Sequence, residues 1–456
     1  MEKEENIIVD EKLGREPLDE KIKEVSKKFL EKTKDREILI ISHFDTDGIT
    51  SASIIIQALK RIDRKFSVKI VKSLEEDFIR GLPKDKVILF LDLASGSLDY
   101  MKDENLKDVF IIDHHEVTQE IPEGVEVINP WFNGKEKISG AGLSYLFSKE
   151  IDNNNKDLAK LAVLGMMGDI MEKHIEDLDK EIFDGGDIKR KKGLLLYPST
   201  RPINKTLEYS SNPYIPGVTG NSEGVFELIR ETGIEMVNGK HKSLIELSED
   251  EMKKLTTAIM LRNPNTKRDI IGNIYLLKFF NKLDDARELS AMINACSRLG
   301  KSEAALKFCL EVPNARKEAE GIHAKYKQHL ISALDFVSKT EKIEGKGFVI
   351  INAGDQVMDT IIGTIASILS NSPNYEEGTI ITAMAYYEGK IKISARICGQ
   401  ENNGRNVKEI LEKIITQIGG EVGGHEFAAG GIIEKEKEKD FIEALKKNLE
   451  IEMVKI

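Results

Sequence analysis

"SHFDTDG" (residues 42–48) closes the apolar run Ile38–Ile41 with one histidine and two aspartates in five residues. The spacing His43-x-Asp45-x-Asp47 sets imidazole and hard oxygen donors at alternate positions, and Gly48 permits a tight turn into the next segment. Outward from this point the pattern alternates. "REILIISH" (36–43) reads as a buried strand and "GITSASIIIQALKRI" (48–62) as an amphipathic helix. Strand patterns recur at "FSVKIV" (66–71), "KVILFLDL" (86–93), "DVFIIDHH" (108–115) and "VEVINP" (125–130), with helical patterns at 140–151 and 157–171. Strands separated by helices predict an α/β fold with a doubly wound parallel sheet.

In such a sheet, ligands bind beyond the carboxyl ends of the strands. Three predicted strand ends carry aspartate or histidine: His43-Asp45-Asp47, Asp92, and Asp113-His114-His115. Asp169, in "GMMGD" (165–169), is a fourth candidate from a helix or the loop after it. Each piece alone has an ordinary explanation. An aspartate after a strand is usually an N-cap or turn former, and a lone histidine is usually structural. "GAG" (140–142) reads as a helix start rather than a dinucleotide fingerprint, and "IKRKK" (188–192) as a solvated loop. Independent caps would not add histidines at the same edge, so the joint pattern points to a metal or catalytic site.

Bulk composition bounds the rest. With 456 residues, 40% apolar and 32% charged, the chain can bury two or three cores. A net charge of −11 argues against nonspecific coating of nucleic acid, because phosphate affinity comes from lysine and arginine. There is no 18-residue apolar run, and "MEKEENIIVDEK" at the start lacks a signal-peptide core, so a cytoplasmic protein without a membrane segment is expected. Cys296, Cys309 and Cys398 are scattered and lie in no CxxC pair, so the sequence suggests neither a disulfide frame nor a zinc knuckle. The expected domains are 1–198, a mainly helical middle 199–330 that opens with a Pro/Gly/Ser/Asn-rich stretch, and a smaller α/β unit 331–456.

The set "SHFDTDG", "FLDLASG", "IIDHHE" and "GMMGD" resembles motifs I to IV of the DHH phosphoesterase superfamily, and "GGEVGGHEFAAGG" (419–431) resembles the signature of its DHHA1 domain. The whole is similar to archaeal RecJ-like nucleases, relatives of the GINS-associated nuclease. The resemblance implies two ions, Mn²⁺ or in some members Mg²⁺. His43, Asp45 and Asp92 would hold one, and Asp47, Asp92, His114 and Asp169 the other. Carboxylates and imidazoles suit such ions better than a thiolate-seeking metal. Asp113 would fix a neighbouring imidazole, and His115 would face the scissile phosphate. Arg396, Gly423, Gly424 and His425 would contact the substrate backbone.

The activity so implied is exonucleolytic hydrolysis of single-stranded DNA or RNA, in replication or repair. The alternatives are a short-oligonucleotide or cyclic-dinucleotide phosphodiesterase, and a replication scaffold binding GINS through the middle region.

Overall fold

Residues Ile38–His43 (β1) are apolar on both faces, so this strand is stable only where it is covered twice. The computed structural model describes residues 17–133, 137–171, 177–185, 187–210, 213–263, 270–372, 374–399 and 404–455. In it β1 lies between Phe66–Val71 (β2) and Val87–Leu91 (β3), followed by Val109–Ile112 (β4) and Val125–Ile128 (β5). All neighbouring pairs are parallel, in the order β2-β1-β3-β4-β5. The expected class holds.

One face of this sheet, including Ile38, Ile40, Leu89, Leu91 and Phe110, shares a core with residues of helices Leu18–Lys32 (α1), Thr46–Arg61 (α2), Gly140–Ile151 (α3) and Ala159–Gly168 (α4). The other, including Ile41, Ile88, Phe90, Ile111 and Val127, is covered by Ile79, Leu98, Met101 and Leu106. Each such fully buried aliphatic or aromatic side chain contributes about 1.5–3 kcal/mol. Strand order reverses at β1 and β3, where β1 is followed by β2 on one side and β3 returns on the other. Their carboxyl ends therefore open a crevice.

The chain forms two compact units that are discontinuous in sequence. The first comprises residues up to Gly193 together with Asn273–Ile322; the second comprises Leu194–Gly272 and the chain from His323 onward. Residues 273–322, which the sequence pattern places in the middle region, add Leu289, Met292, Ile293 and Phe308 to the same core as α2 and α4. They also contribute strands to a three-stranded sheet of Lys189–Leu194 (β6), Ile271–Phe279 (β7) and Lys282–Asp285 (β8), ordered β6-β7-β8. The run "IKRKK" thus enters an edge strand rather than a loop.

In the second unit, Leu196, Leu207, Val225, Leu228, Leu255 and Ile259 form one core, which matches the expected mainly helical middle. A six-stranded mixed sheet is built from Ile343–Gly345 (β9), Phe348–Asn352 (β10), Ile380–Tyr387 (β11), Lys390–Ile397 (β12), Glu421–His425 (β13) and Ala428–Glu434 (β14), in the order β13-β14-β12-β11-β10-β9. Helix Asp359–Ser370 (α5) makes the crossover between the parallel strands β10 and β11. On the opposite face Leu411, Ile415, Phe441 and Leu445 pack on Ile393 and Ile433. Residues 1–16, which include the start tested for a signal segment, lie outside the described residues, as do 211 and 212 of the Pro/Gly-rich stretch. Among the described residues no helix is long and apolar enough to cross a membrane.

Candidate metal centre

The first motif does two local jobs before any chemistry. Asp45 is the N-cap of α2, and its Oδ1 accepts from the Gly48 backbone N–H at 3.0 Å. Its Oδ2 lies 3.1 Å from His43 Nδ1. A Cβ on Gly48 would stand 2.3 Å from the His43 carbonyl oxygen, so the turn admits only glycine. Asp47, one step into α2, is buried and points at the start of α3. Its Oδ2 accepts from Gly140 N–H at 2.6 Å and its Oδ1 from Ala141 N–H at 3.0 Å. These are helix N-terminal amides, which favour an anion. "GAG" is the helix start expected, and it also anchors a carboxylate, a role that sequence pattern alone does not reveal.

Asp92 follows β3 in the left-handed region (φ 58°) and is fully buried. Its Oδ2 lies 3.5 Å from His43 Nδ1, and its Oδ1 lies 3.3 Å from His114 Nε2. His114 Nε2 is also 3.3 Å from Asp169 Oδ2 and 3.7 Å from Asp47 Oδ2. Among the described residues the strand ends, with Asp169 from the end of α4, assemble three overlapping donor groups, His43-Asp45-Asp92, Asp47-His114-Asp169 and Asp92-His114-His115, with Asp92 between the first two. Every residue of the four amino-terminal motifs named as a metal candidate reaches this cluster.

The electrostatics are those of a cation site. Burial, then the charges of Asp47 and Asp45, push the Asp92 carboxyl well above the usual range. Burial and nearby carboxylates likewise raise Asp169 and Asp47. Burial alone would lower His43 and His114, but the surrounding aspartates outweigh it and raise both. His43 Nδ1, both Asp92 oxygens and Asp169 Oδ2 are buried with no hydrogen bond formed. Orphaned buried polar atoms are costly. These four are all nitrogen or oxygen donors, converge on one another and sit among excess negative charge, which fits bound divalent cations of the Mn²⁺ or Mg²⁺ type.

Behind the donors lies a polar frame. Asp113, buried at the end of β4, accepts from Ser95 N–H (2.9 Å) and His114 N–H (2.8 Å), and its Oδ1 lies 2.7 Å from His115 Nδ1. Burial opposes the anion there, but the hydrogen bond and charge of His115, helped by the Ser95 side chain, outweigh it and hold the Asp113 carboxyl below its ordinary range. His115 is raised, because Asp113 overcomes burial, and its ring is exposed while still grouped with Asp92 and His114. Asn129 carries no signal in the sequence pattern. It is fully buried, and its Nδ2 donates to Ser95 Oγ and to the His115 carbonyl, both at 2.9 Å.

Arg396, Gly423, Gly424 and His425 lie in the second unit. Arg396 and His425 both pair with Ala428 across β12, β14 and β13, so they flank one cross-strand row. Gly424 pairs with Ala429 in the next row and Gly423 with Gly430 in the one after, and a side chain on Gly423 would meet open space. Arg396 spends donors internally, from Nε to Ser367 Oγ (3.1 Å) and from Nη1 to the carbonyls of Ala395 (2.8 Å) and Ala429 (3.3 Å).

Comparison with known proteins agrees with this geometry. The DHH family N-terminal domain matches residues 37–166, the DHH-CID domain residues 196–268 and the DHHA1 domain residues 345–450. An uncharacterized protein of Methanocaldococcus jannaschii, MJ0831, is 30% identical over 426 residues, spanning 89% of this chain and 91% of its own length. The chain belongs to the DHH superfamily. Within that superfamily its fold is RecJ-like: RecJ of Thermus thermophilus in complex with Mn²⁺ superposes with a TM-score of 0.59 at 16% identity, covering 96% of this chain and 55% of that one. Cdc45 of Entamoeba histolytica superposes with a TM-score of 0.66 at 12% identity, covering 94% and 98%. The single-stranded-DNA-specific exonuclease RecJ of Bacillus subtilis is 23% identical over 160 residues, 32% of this DHH chain and 20% of that protein. The DHH-CID match falls in the middle region, where the sequence motifs offer no counterpart.

Proposed function

We propose that this DHH protein is a metal-dependent phosphodiesterase acting as an exonuclease on single-stranded DNA, RNA or both. The observation that carries the reading is Asp92, whose two buried carboxylate oxygens receive no hydrogen bond and face different histidines. A carboxylate so placed can serve two cations at once. His43, Asp45 and Asp92 would hold one ion, and Asp47, Asp92, His114 and Asp169 the other. Bound there, Mn²⁺ or Mg²⁺ supplies Lewis acidity, drawing charge from a phosphodiester and making water more acidic.

The chain's own groups supply the rest. The α3 amides favour the Asp47 carboxylate and hold it in place, against the burial and neighbouring charge that raise it. Asp113 fixes the His115 tautomer by accepting a hydrogen bond from Nδ1–H; in the protonated ring, Nε2–H is then free to donate to a phosphoryl oxygen or the departing oxygen. With no side chain at Gly423 and open space beside it, a backbone phosphate can approach this strand closely, with Arg396 and His425 in register with Ala428 nearby. RecJ-like relatives named for single-strand exonuclease activity support a polymer substrate over a cyclic dinucleotide.

The likeness to Cdc45 favours a second reading, a replication scaffold with GINS as partner. A scaffold needs none of the eight clustered His and Asp side chains, and this chain keeps a competent donor at every motif position. One experiment tests the first reading: single-stranded DNA and RNA, labelled at either end, are incubated with Mn²⁺ and the product ladder is read. Stepwise shortening is expected, with the label position reporting polarity. Intact substrate in both cases leaves the scaffold.

A further inference from the structure

Trp131 is the only tryptophan in the chain, and it is 44% exposed although indoles are usually well buried. Its attitude is fixed from two sides. The indole Nε1–H donates to the carbonyl of His114 at 3.2 Å, and its backbone N–H donates to Asn129 Oδ1 at 3.0 Å. The same Asn129 side chain, fully buried, grips the His115 carbonyl and Ser95 Oγ through Nδ2. One amide thus ties the indole to the segment whose imidazole faces Asp47, Asp92 and Asp169.

We infer that the Trp131 ring is a stacking platform for a nucleobase of the strand whose phosphate sits at the metal centre. This rests on the proposed function. With its N–H spent on His114, the ring has only its π surface left to offer, and every base presents a π face of its own. A platform tied to the ligand-bearing backbone would hold the base in a fixed relation to the reacting phosphate. Recognition would be tolerant of base identity but would require a base.

Because Trp131 is the sole indole, its emission reports this site alone. The full-length protein with Mn²⁺ is titrated with a phosphorothioate-linked thymidine tetranucleotide and with an abasic tetranucleotide on the same backbone. Binding is followed in parallel by anisotropy of a dye on each oligomer. Saturable quenching by the thymidine oligomer and not by the abasic one is expected. Trp131→Ala should weaken binding of the thymidine oligomer about tenfold to a hundredfold, leave the abasic oligomer unchanged, and be partly rescued by Trp131→Phe. Equal quenching by both oligomers, or an equal loss of both in Trp131→Ala, overturns the stacking role while the nuclease reading stands. If neither oligomer binds and labelled natural strands are not cut, the functional reading fails and takes this one with it.

Discussion

Asp47 and Gly140 are 93 residues apart in sequence and 2.6 Å apart at Oδ2 and the backbone nitrogen. The contact explains how a fully buried carboxylate surrounded by others is kept in place. The third wall of its niche is Gly165, where a Cβ would stand 2.4 Å from Asp47 Oδ1, 2.5 Å from Ala141 Cβ and 2.6 Å from Thr50 Oγ1. Gly165→Ala should therefore displace Asp47, cost about 1–3 kcal/mol of stability by overpacking, and weaken Mn²⁺ binding. Thermal melting and calorimetric Mn²⁺ titration check both. Wild-type behaviour in both would show that the niche is not tight.

Asp92→Asn keeps the shape and removes the charge. Hydrolysis should drop at least a hundredfold, since a donor shared by both groups is lost. The metal-free variant should meanwhile be more stable than metal-free wild type, by on the order of 1 kcal/mol, because a buried carboxylate repelled by Asp47 and Asp45 is gone. Mn²⁺ should no longer raise its melting temperature. Ordinary turnover by the purified variant would overturn the shared-donor assignment.

The effect of pH on metal stabilisation comes from the same shifts. Raised carboxyls on Asp47, Asp92 and Asp169 mean that the folded, metal-free protein binds more protons than the unfolded chain above the ordinary carboxylate range, so this contribution is lost as pH rises through the raised values. Raised His43 and His114 act alike: their contribution is whole below 6.5 and disappears as pH passes the folded values. Cations must displace those protons. The rise in melting temperature produced by Mn²⁺ should therefore be larger at pH 8 than at pH 6, as measured against EDTA controls. A rise independent of pH would contradict proton displacement.

Arg396 separates binding from chemistry. A charge-assisted phosphate contact is worth roughly 1.5–3 kcal/mol, so Arg396→Ala should raise the apparent KM about tenfold to a hundredfold while Mn²⁺ affinity stays at the wild-type value. Arg396→Lys should recover little, since an ammonium cannot reproduce the fork that spans Ser367, Ala395 and Ala429. Unchanged affinity for single strands in the alanine variant would remove Arg396 from the substrate groove.

The parts that were legible in sequence share one property: the side chain itself breaks a pattern. His43, Asp92 and Asp113-His114-His115 each end an apolar strand, and the structure gathers them at one sheet edge. What stayed hidden acts through backbone or over distance. Asp47 is anchored by amides, which leave no mark on residue type. The β7–β8 hairpin went unread because its turn is Phe280-Asn281, both at positive φ (51° and 60°), where glycine would normally give the signal. The bulky Phe280 is held there with its N–H donating to Glu311 Oε2 at 2.7 Å. The return of Leu289, Met292 and Phe308 to the first core is a contact across more than a hundred residues, beyond the reach of local periodicity.

Residues 194–272 leave the first unit after β6 and rejoin it in β7, and these strands are neighbours in one sheet; Leu195 N–H donates to the Ile270 carbonyl at 2.6 Å. The two ends of the insert are thus roughly one strand spacing apart, about 4.8 Å. Such a cassette can be exchanged for a short turn without parting the strands that bracket it. Synthesis on the ribosome meets the opposite constraint. A nascent chain that has reached Gly193 still lacks the helices bearing Leu289 and Phe308, so the apolar flanks of α2 and α4 stay uncovered until the insert has emerged.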